Sequence, residues 1–349
     1  MKLRNILLLI IATVSLGFAS CSSESDILDE IDASVNNTVE RMTTVSFTLP
    51  NGIQTKAGND TQDANEEEAT INTCMIAIFQ HGGEDALLLT KKVVSSGNGL
   101  IGNATEGYSI NNITTKAILS DIIVVANCPE HLFDGVVSKA GFDMAITEGQ
   151  HVTSSLEASK LIKVWKSSEA GINLKDETQR NITVNLRQIA ARIDLELRLN
   201  GTSLKEGDQV IVNSVTMTNA NHTTNLFTSN NTTFTAADKI GTLKNSSISY
   251  NNDYTLVTSF YTYENNAQEL STIAIDAGIS SKGVTSVVPL KIKTIYIQSN
   301  EGENGKSNIN RGYLYRIQGT IKYDQKISVE LQYNIVDWTP IAIDVPSFD

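Results

Sequence analysis

The sequence predicts an all-β chain of 349 residues, arranged as two antiparallel β-sandwiches in tandem. Three observations carry this reading. Apolar residues recur at every second position in many short runs, the mark of half-buried strands. Gly, Asn, Asp and Pro clusters separate those runs with turn chemistry. Leu156–Trp165 is the one stretch that leaves helix and strand both open.

The first twenty residues read as an export signal. Lys2 and Arg4 form a positive start, an apolar run with the single polar residue Thr13 spans Ile6–Val14, and small residues follow. The run is too short for a stable membrane span. It ends Leu16-Gly17-Phe18-Ala19-Ser20-Cys21, and small residues before a cysteine resemble a bacterial lipobox, which makes Cys21 the expected lipidation site. Ordinary secretion with an incidental Cys21 is the simpler alternative. Residues 21–42 then form a polar tether carrying Glu24, Asp26, Asp29, Glu30 and Asp32. Any membrane attachment after processing rests on the lipid.

Strands follow. Thr44-Val45-Ser46-Phe47-Thr48-Leu49 alternates polar and apolar, and Pro50-Asn51-Gly52 stops it. Residues 57–68 carry Asp60, Asp63, Glu66, Glu67 and Glu68 and are read as an exposed acidic loop. Cys74–Phe79 is apolar throughout, as expected of a strand buried on both faces, and Gln80-His81-Gly82-Gly83 closes it. Further strands are expected at Leu87–Val94 and Ala117–Ala126, and Asn181–Leu199 is one long alternating stretch. A boundary is placed near residue 200, at Asn200-Gly201-Thr202-Ser203. Beyond it come Val210–Met217, Tyr254–Tyr261, Leu270–Ile275, Val287–Ile297, Tyr313–Tyr323, Ile327–Ile335 and Ile341–Val345.

Composition narrows the function. A formal net charge of −12 repels phosphate backbones and anionic membranes, so nucleic acid is not an expected partner. Four scattered histidines and three cysteines give no metal spacing, and no Gly-x-Ser-x-Gly elbow accompanies His81-Gly82-Gly83. The acidic residues from Asp60 to Glu68 lack the Gly-centred spacing of a calcium loop. No cofactor, metal or enzymatic activity is expected. Cys74 and Cys128 flank core strands and either pair or act as small buried fillers. Tyr254, Tyr261 and Tyr263 offer a sugar-stacking platform, or Tyr261 and Tyr263 simply share one sheet face. Trp165 and Trp338 are read as core.

Several stretches also line up, in order, with one family. After the lipobox come Val45-Ser46-Phe47-Thr48-Leu49, Thr55-Lys56-Ala57, the acidic loop and Ile71-Asn72-Thr73-Cys74-Met75-Ile76-Ala77-Ile78-Phe79. Then follow Ile122–Asn127, Leu186-Arg187-Gln188-Ile189-Ala190-Ala191-Arg192-Ile193, Ser259–Asn265 and Tyr333-Asn334-Ile335-Val336-Asp337-Trp338. This order resembles the fimbrillins, the lipoprotein-derived subunits of type V pili, over nearly the whole chain. The resemblance implies transthyretin-like sandwiches and assembly by protease-triggered strand exchange. The first strand leaves after a trypsin-like cut, and a C-terminal strand of another subunit takes its groove. Where family members carry Thr-Arg-Ala at the cut, this chain reads Thr55-Lys56-Ala57, which suits a Lys-cleaving or broadly trypsin-like protease. Arg41 is the fallback site, although a cut there leaves Val45–Leu49 attached.

The expected organisation is a signal peptide at 1–20, the tether at 21–42, a removable first strand at 43–56 and sandwiches at 57–200 and 201–349. Val45, Phe47 and Leu49 form the displaced face, and Ile341, Ile343 and Val345 repeat its period in the donor strand. The implied partners are other fimbrial subunits, the processing protease and a lipid anchor in the outer membrane. The rival reading is a surface-exposed glycan-binding outer-membrane lipoprotein that keeps its anchor.

Overall fold

Period-two apolar patterning dominates the chain, and almost every described element is a strand. The structure, a computed structural model, describes residues 41–337 apart from 51–53, 58–59, 64–65, 148–155, 202–203, 222, 228–238, 251–252, 266–269, 284–286, 291, 293, 298–308 and 324–326. Cys21, Ile341, Ile343, Val345 and Trp338 lie outside the described residues.

The first half runs β1 (Met42–Leu49), β2 (Gln54–Ala57), β3 (Asp60–Asp63), the helical turn α1 (Glu66–Ala69), β4 (Thr73–Gln80), β5 (Leu88–Ser96), β6 (Gly99–Asn103), β7 (Gly107–Lys116) and β8 (Leu119–Ala126). It continues through α2 (Lys139–Asp143), β9 (Ile146–Thr147), β10 (Lys163–Lys166), β11 (Ile172–Asn173), β12 (Asn181–Thr183) and β13 (Arg187–Gln188). One sheet takes the order β12-β1-β7-β6-β5-β4-β8-β10-β13, with β11 also pairing with β8. It curls over onto itself. Val45, Phe47 and Leu49 of β1 share a core with Ile110 and Ile113 of β7, Ile182 of β12, and Cys74, Ile76, Ile78, Ile122 and Val124 of β4 and β8.

β4 and β8 are buried on both faces, which is why their sequences read as unbroken apolar runs. Their second face, with Met75, Ala77, Phe79, Ile123 and Val125, packs on Phe133, Phe142, Leu161 and Ile162. α2 sets Phe142 in place: Ser138 caps the helix by accepting from the Gly141 N–H, and the Phe142 ring stacks on Phe133 at 4.4 Å. Gly102, at φ 113°, allows the tight β6–β7 approach, because a Cβ there would meet the Gly107 carbonyl oxygen at 2.2 Å.

The second half holds β14 (Ala191–Asn200), β15 (Gln209–Thr218), β16 (Thr224–Asn225), β17 (Lys239–Ser249), β18 (Thr255–Thr262), β19 (Thr272–Ser280), β20 (Val287–Leu290), β21 (Ile295–Tyr296), β22 (Tyr313–Tyr323) and β23 (Ile327–Asp337). A sheet of order β18-β14-β22-β23 faces a second of order β17-β15-β19-β20, with β21 also on β19. Between them lie Ile193, Leu195, Leu197, Phe260, Tyr315 and Ile317 from one side and Val210, Val212, Val215, Ile273 and Ile279 from the other. The long alternating stretch over Asn181–Leu199 divides among three strands. β12 and β13 belong to the curled sheet, whereas β14 hydrogen-bonds to β18 and β22. Tyr261, Tyr263 and Leu314 of the second half enter the core beneath β4 and β8.

Four further expectations resolve. Leu156–Trp165 is neither all helix nor all strand: a 3-10 turn at Ala158–Lys160 leads into β10. Cys74 and Cys128 are both free, with Cys74 in the core under β1 and Cys128 against the core on the other face of β4 and β8. Burial raises the Cys74 thiol pKa far above its ordinary range and pushes Cys128 up to about 12. Tyr261 and Tyr263 are buried, and Tyr254 lies against the Arg198 guanidinium. The acidic stretch at 57–68 is not uniformly an exposed loop. It runs from the last residue of β2 through β3 into α1, and Glu68 is 0% exposed. A partner inside the protein overrides its solvation, as described below.

Lys163 is also buried, donating from Nζ to the Thr70 and Leu161 carbonyls at 3.2 and 3.3 Å. Burial lowers its pKa from 10.5 to about 7, against the opposing pull of Glu68. Between those values the unfolded chain holds a proton that the folded chain lacks, so this group makes stability rise with pH. Lys163→Met abolishes that rise. The Tm of the native chain relative to the variant is expected to climb from pH 7 to about pH 10; a constant difference would contradict the burial of an ionisable Lys163.

Candidate functional site

β1 is seated between two strands rather than laid on an edge. Its neighbours in the sheet are β7 and β12. The pairing with β12 is parallel, with Ser46, Phe47 and Thr48 opposite Asn181, Ile182 and Thr183. The Ser46 N–H donates to the Arg180 carbonyl at 2.9 Å, and the Val184 N–H donates to the Thr48 carbonyl at 2.8 Å. Thr44, Ser46 and Thr48 face outward, exposed or half-buried, while Val45, Phe47 and Leu49 are 1%, 0% and 1% exposed. All three enter the apolar core inside the curl. Burying three such side chains is worth about 5–9 kcal/mol relative to leaving them in water. Without β1, β7 and β12 present unpaired backbone groups above an apolar furrow.

The segment after β1 leads directly to the expected cut. Lys56 and Ala57 end β2, opposite Thr61 and Asp60 of β3 in a short antiparallel hairpin that lies outside the two large sheets of the sandwiches and the curled sheet. The bond between them is therefore in extended backbone, the conformation a protease cleft binds. Arg41, the fallback, is exposed immediately before β1. The expected donor residues Ile341, Ile343 and Val345 and the expected lipidation site Cys21 lie outside the described residues.

The sequence reading missed what lies beyond the hairpin. Glu68 Oε1 accepts from Arg192 Nη1 at 2.9 Å and from the Tyr261 hydroxyl. Arg192 Nε donates to Asp194 Oδ1 at 2.8 Å, and Ser259 Oγ donates to the same oxygen at 2.6 Å. Arg192 and Tyr261 face each other across the β14–β18 ladder, as do Asp194 and Ser259. One signal was available: Arg192 and Asp194 sit two apart on a strand that alternates apolar and polar residues, which puts opposite charges side by side on its polar face.

A polar cleft of about 280 Å³ opens beside the turn after β4, lined by Gly82, Asp121, Lys139, Asp143, Lys166 and Ser167. Several of its charges are paired, Lys166 with Asp143 at 3.7 Å among them. Asp121 bonds His81 Nδ1 at 2.8 Å and Lys139 Nζ at 2.6 Å. Burial raises the Asp121 pKa, but these bonds outweigh it and hold the carboxyl below its usual range. His81-Gly82-Gly83 thus serves a turn, with His81 tied to Asp121. Among the described residues no group of three or more His, Cys, Asp or Glu is placed to hold a metal ion.

No family model and no curated protein matches the chain. Solved structures do. A protein of Parabacteroides distasonis named for cell adhesion aligns over 86% of this chain and 97% of its own, at 21% identity and a TM-score of 0.54. A fimbrilin of Porphyromonas gingivalis aligns over 87% and 100%, at 16% identity and a TM-score of 0.52. The fold is fimbrillin-like. A fimbrial protein of Bacteroides vulgatus shares it over 85% and 99%, at 10% identity and a TM-score of 0.53. The fimbrillin-like fold thus spans nearly the whole of each relative, so both halves of the chain take part.

Phe47 is the deepest part of β1. Phe47→Ala should lower the stability of the uncut chain by about 3–5 kcal/mol in denaturant titrations, while the outward Thr48→Ala should change it by less than about 0.5 kcal/mol. Equal effects from the two would show that β1 is not held by its inward face.

Proposed function

We propose that this chain is a structural subunit of a cell-surface fimbrium that supports adhesion and is built by protease-triggered strand exchange. The observation that carries the proposal is β1 itself, an apolar strand inserted between β7 and β12 and joined to the rest of the chain by a short hairpin. The fimbrial and adhesion relatives that share the fold support it.

In this reading the precursor is exported as a lipoprotein carrying palmitate, anchored to the outer membrane through Cys21, with β1 filling its own furrow. A trypsin-like protease cuts between Lys56 and Ala57. β1 departs, and residues Ile341, Ile343 and Val345 of another subunit, self or homologous, occupy the place of Val45, Phe47 and Leu49. A strand with the same period restores both ladders, and a one-residue slip would turn its apolar side chains to water. Each subunit gives a strand at one end and accepts one at the other, so the contact does not close and a filament grows. The subunit has no catalytic step to perform.

Two variants test this together. Lys56→Gln should remain an unpolymerised, lipidated precursor, and Ile343→Asp should be cut normally yet fail to polymerise, because an unpaired carboxylate in the furrow costs several kcal/mol. N-terminal mass spectrometry and electron microscopy of surface material are the readouts. Fibres from Lys56→Gln with a mature start elsewhere would refute the assigned bond, and normal fibres from Ile343→Asp alone would refute the assigned donor.

A further inference from the structure

The chain immediately beyond the hairpin is held in a manner opposite to β1. β1 is fixed by a backbone ladder and three apolar side chains, which any strand of similar pattern reproduces. Glu68 is instead fixed by an ion pair with Arg192 and a hydrogen bond from Tyr261, all buried, with Arg192 braced in turn by Asp194. Those partners belong to β14 and β18, strands of the second half.

The next residues are tied to the first half. The Thr70 carbonyl accepts from Asn127 Nδ2 at 3.0 Å and from Lys163 Nζ at 3.2 Å. The Ile71 N–H donates to the Tyr108 hydroxyl at 3.0 Å, and the Asn72 N–H donates to Asn127 Oδ1 at 2.8 Å. Asn127 holds φ at 54°, a left-handed conformation that Asn tolerates, which places its amide among these backbone groups. Within a few residues the chain is bonded to both halves.

We propose that Glu68, through Arg192 and Tyr261, is a positioning residue that anchors the chain downstream of the cut and confines strand exchange to β1. The inference rests on the strand-exchange reading and assigns a residue to it. When β1 leaves, the loss of packing stops at the buried ion pair. The new N-terminal arm stays on β14 and β18, and the emptied furrow keeps its shape for the incoming strand. The bond is directional and charged, so the incoming apolar strand cannot compete for it.

The test uses the full chain with a specific protease recognition sequence inserted between Lys56 and Ala57, cut in solution, and followed by amide hydrogen exchange. The chain with Glu68 (here wild type), Glu68→Ala and the milder Glu68→Gln are compared, all carrying Ile343→Asp so that no donor strand refills the furrow, with β4 and β8 as the control for global unfolding. In cut wild type, residues 66–72 are expected to stay protected while β7 and β12 lose protection. In cut Glu68→Ala, exchange at 66–72 should be faster by roughly tenfold or more with β4 and β8 unchanged, and Glu68→Gln should fall between. Equal protection of 66–72 in wild type and both variants overturns the anchor, as does loss of 66–72 together with β7 and β12 in wild type. If β7 and β12 stay protected after the cut, strand exchange fails as a reading, and the wild-type to Glu68→Ala ratio at 66–72 still decides the anchor.

Discussion

The seating of β1 between β7 and β12 organises the whole first half. The curled sheet closes its core only because β1 supplies the strand that joins β12 to β7 and drops Phe47 between Ile110, Ile182 and the inner face of β4 and β8. A strand in that position is neither an edge nor dispensable. Its removal opens two edges and one apolar face at once. Open edges of this kind recruit other chains, and proteins normally cover them. In the proposed assembly, a chain that carries its own cover on a short hairpin stays unassembled until the connection is broken.

The two kinds of contact in this region divide the labour. Apolar packing along a strand is strong and tolerant of sequence, because burial scales with area and not with orientation. A buried carboxylate on a guanidinium is a weak source of net stability but severe when broken, because the remaining charge is stranded. β1, the part proposed to exchange, uses the first, and the part that follows the hairpin, from Glu68 onward, uses the second. The same residues join the halves, since Arg192 and Tyr261 lie on the sheet that also sends Tyr261, Tyr263 and Leu314 beneath β4 and β8.

Much of the fold was legible in the sequence, and the misses have physical causes. β1, β4, β8, β15, β18 and β22 announce themselves through period two or a doubly buried apolar run. β7 does not: Ile110 and Ile113 both point inward although three apart, and Asn112 at φ 59° accommodates the extra residue, so the alternation is broken. β17, with Lys239-Ile240-Gly241-Thr242-Leu243-Lys244-Asn245-Ser246, is too polar and Gly-containing to register as a strand. The Asn181–Leu199 pattern revealed faces but not partners, because periodicity carries no information on which sheet a strand joins. For the same reason Val45, Phe47 and Leu49 were recognisable as a buried face, whereas their flanking strands β7 and β12 were not. Glu68 looked like the end of an acidic run, because the partner that makes its burial tolerable lies far away in sequence, at Arg192.

The central claim is that the place of β1 is filled by another chain in the assembled form. A structure of the fibre at side-chain resolution tests it most directly. The account predicts that the strand between β7 and β12 comes from a neighbouring subunit, that its inward side chains sit where Val45, Phe47 and Leu49 sit in the precursor, and that the first residue of each subunit lies beyond β1. A fibre in which each subunit still holds its own Val45–Leu49 strand in that place, with the chain continuous through Lys56 and Ala57, would contradict it.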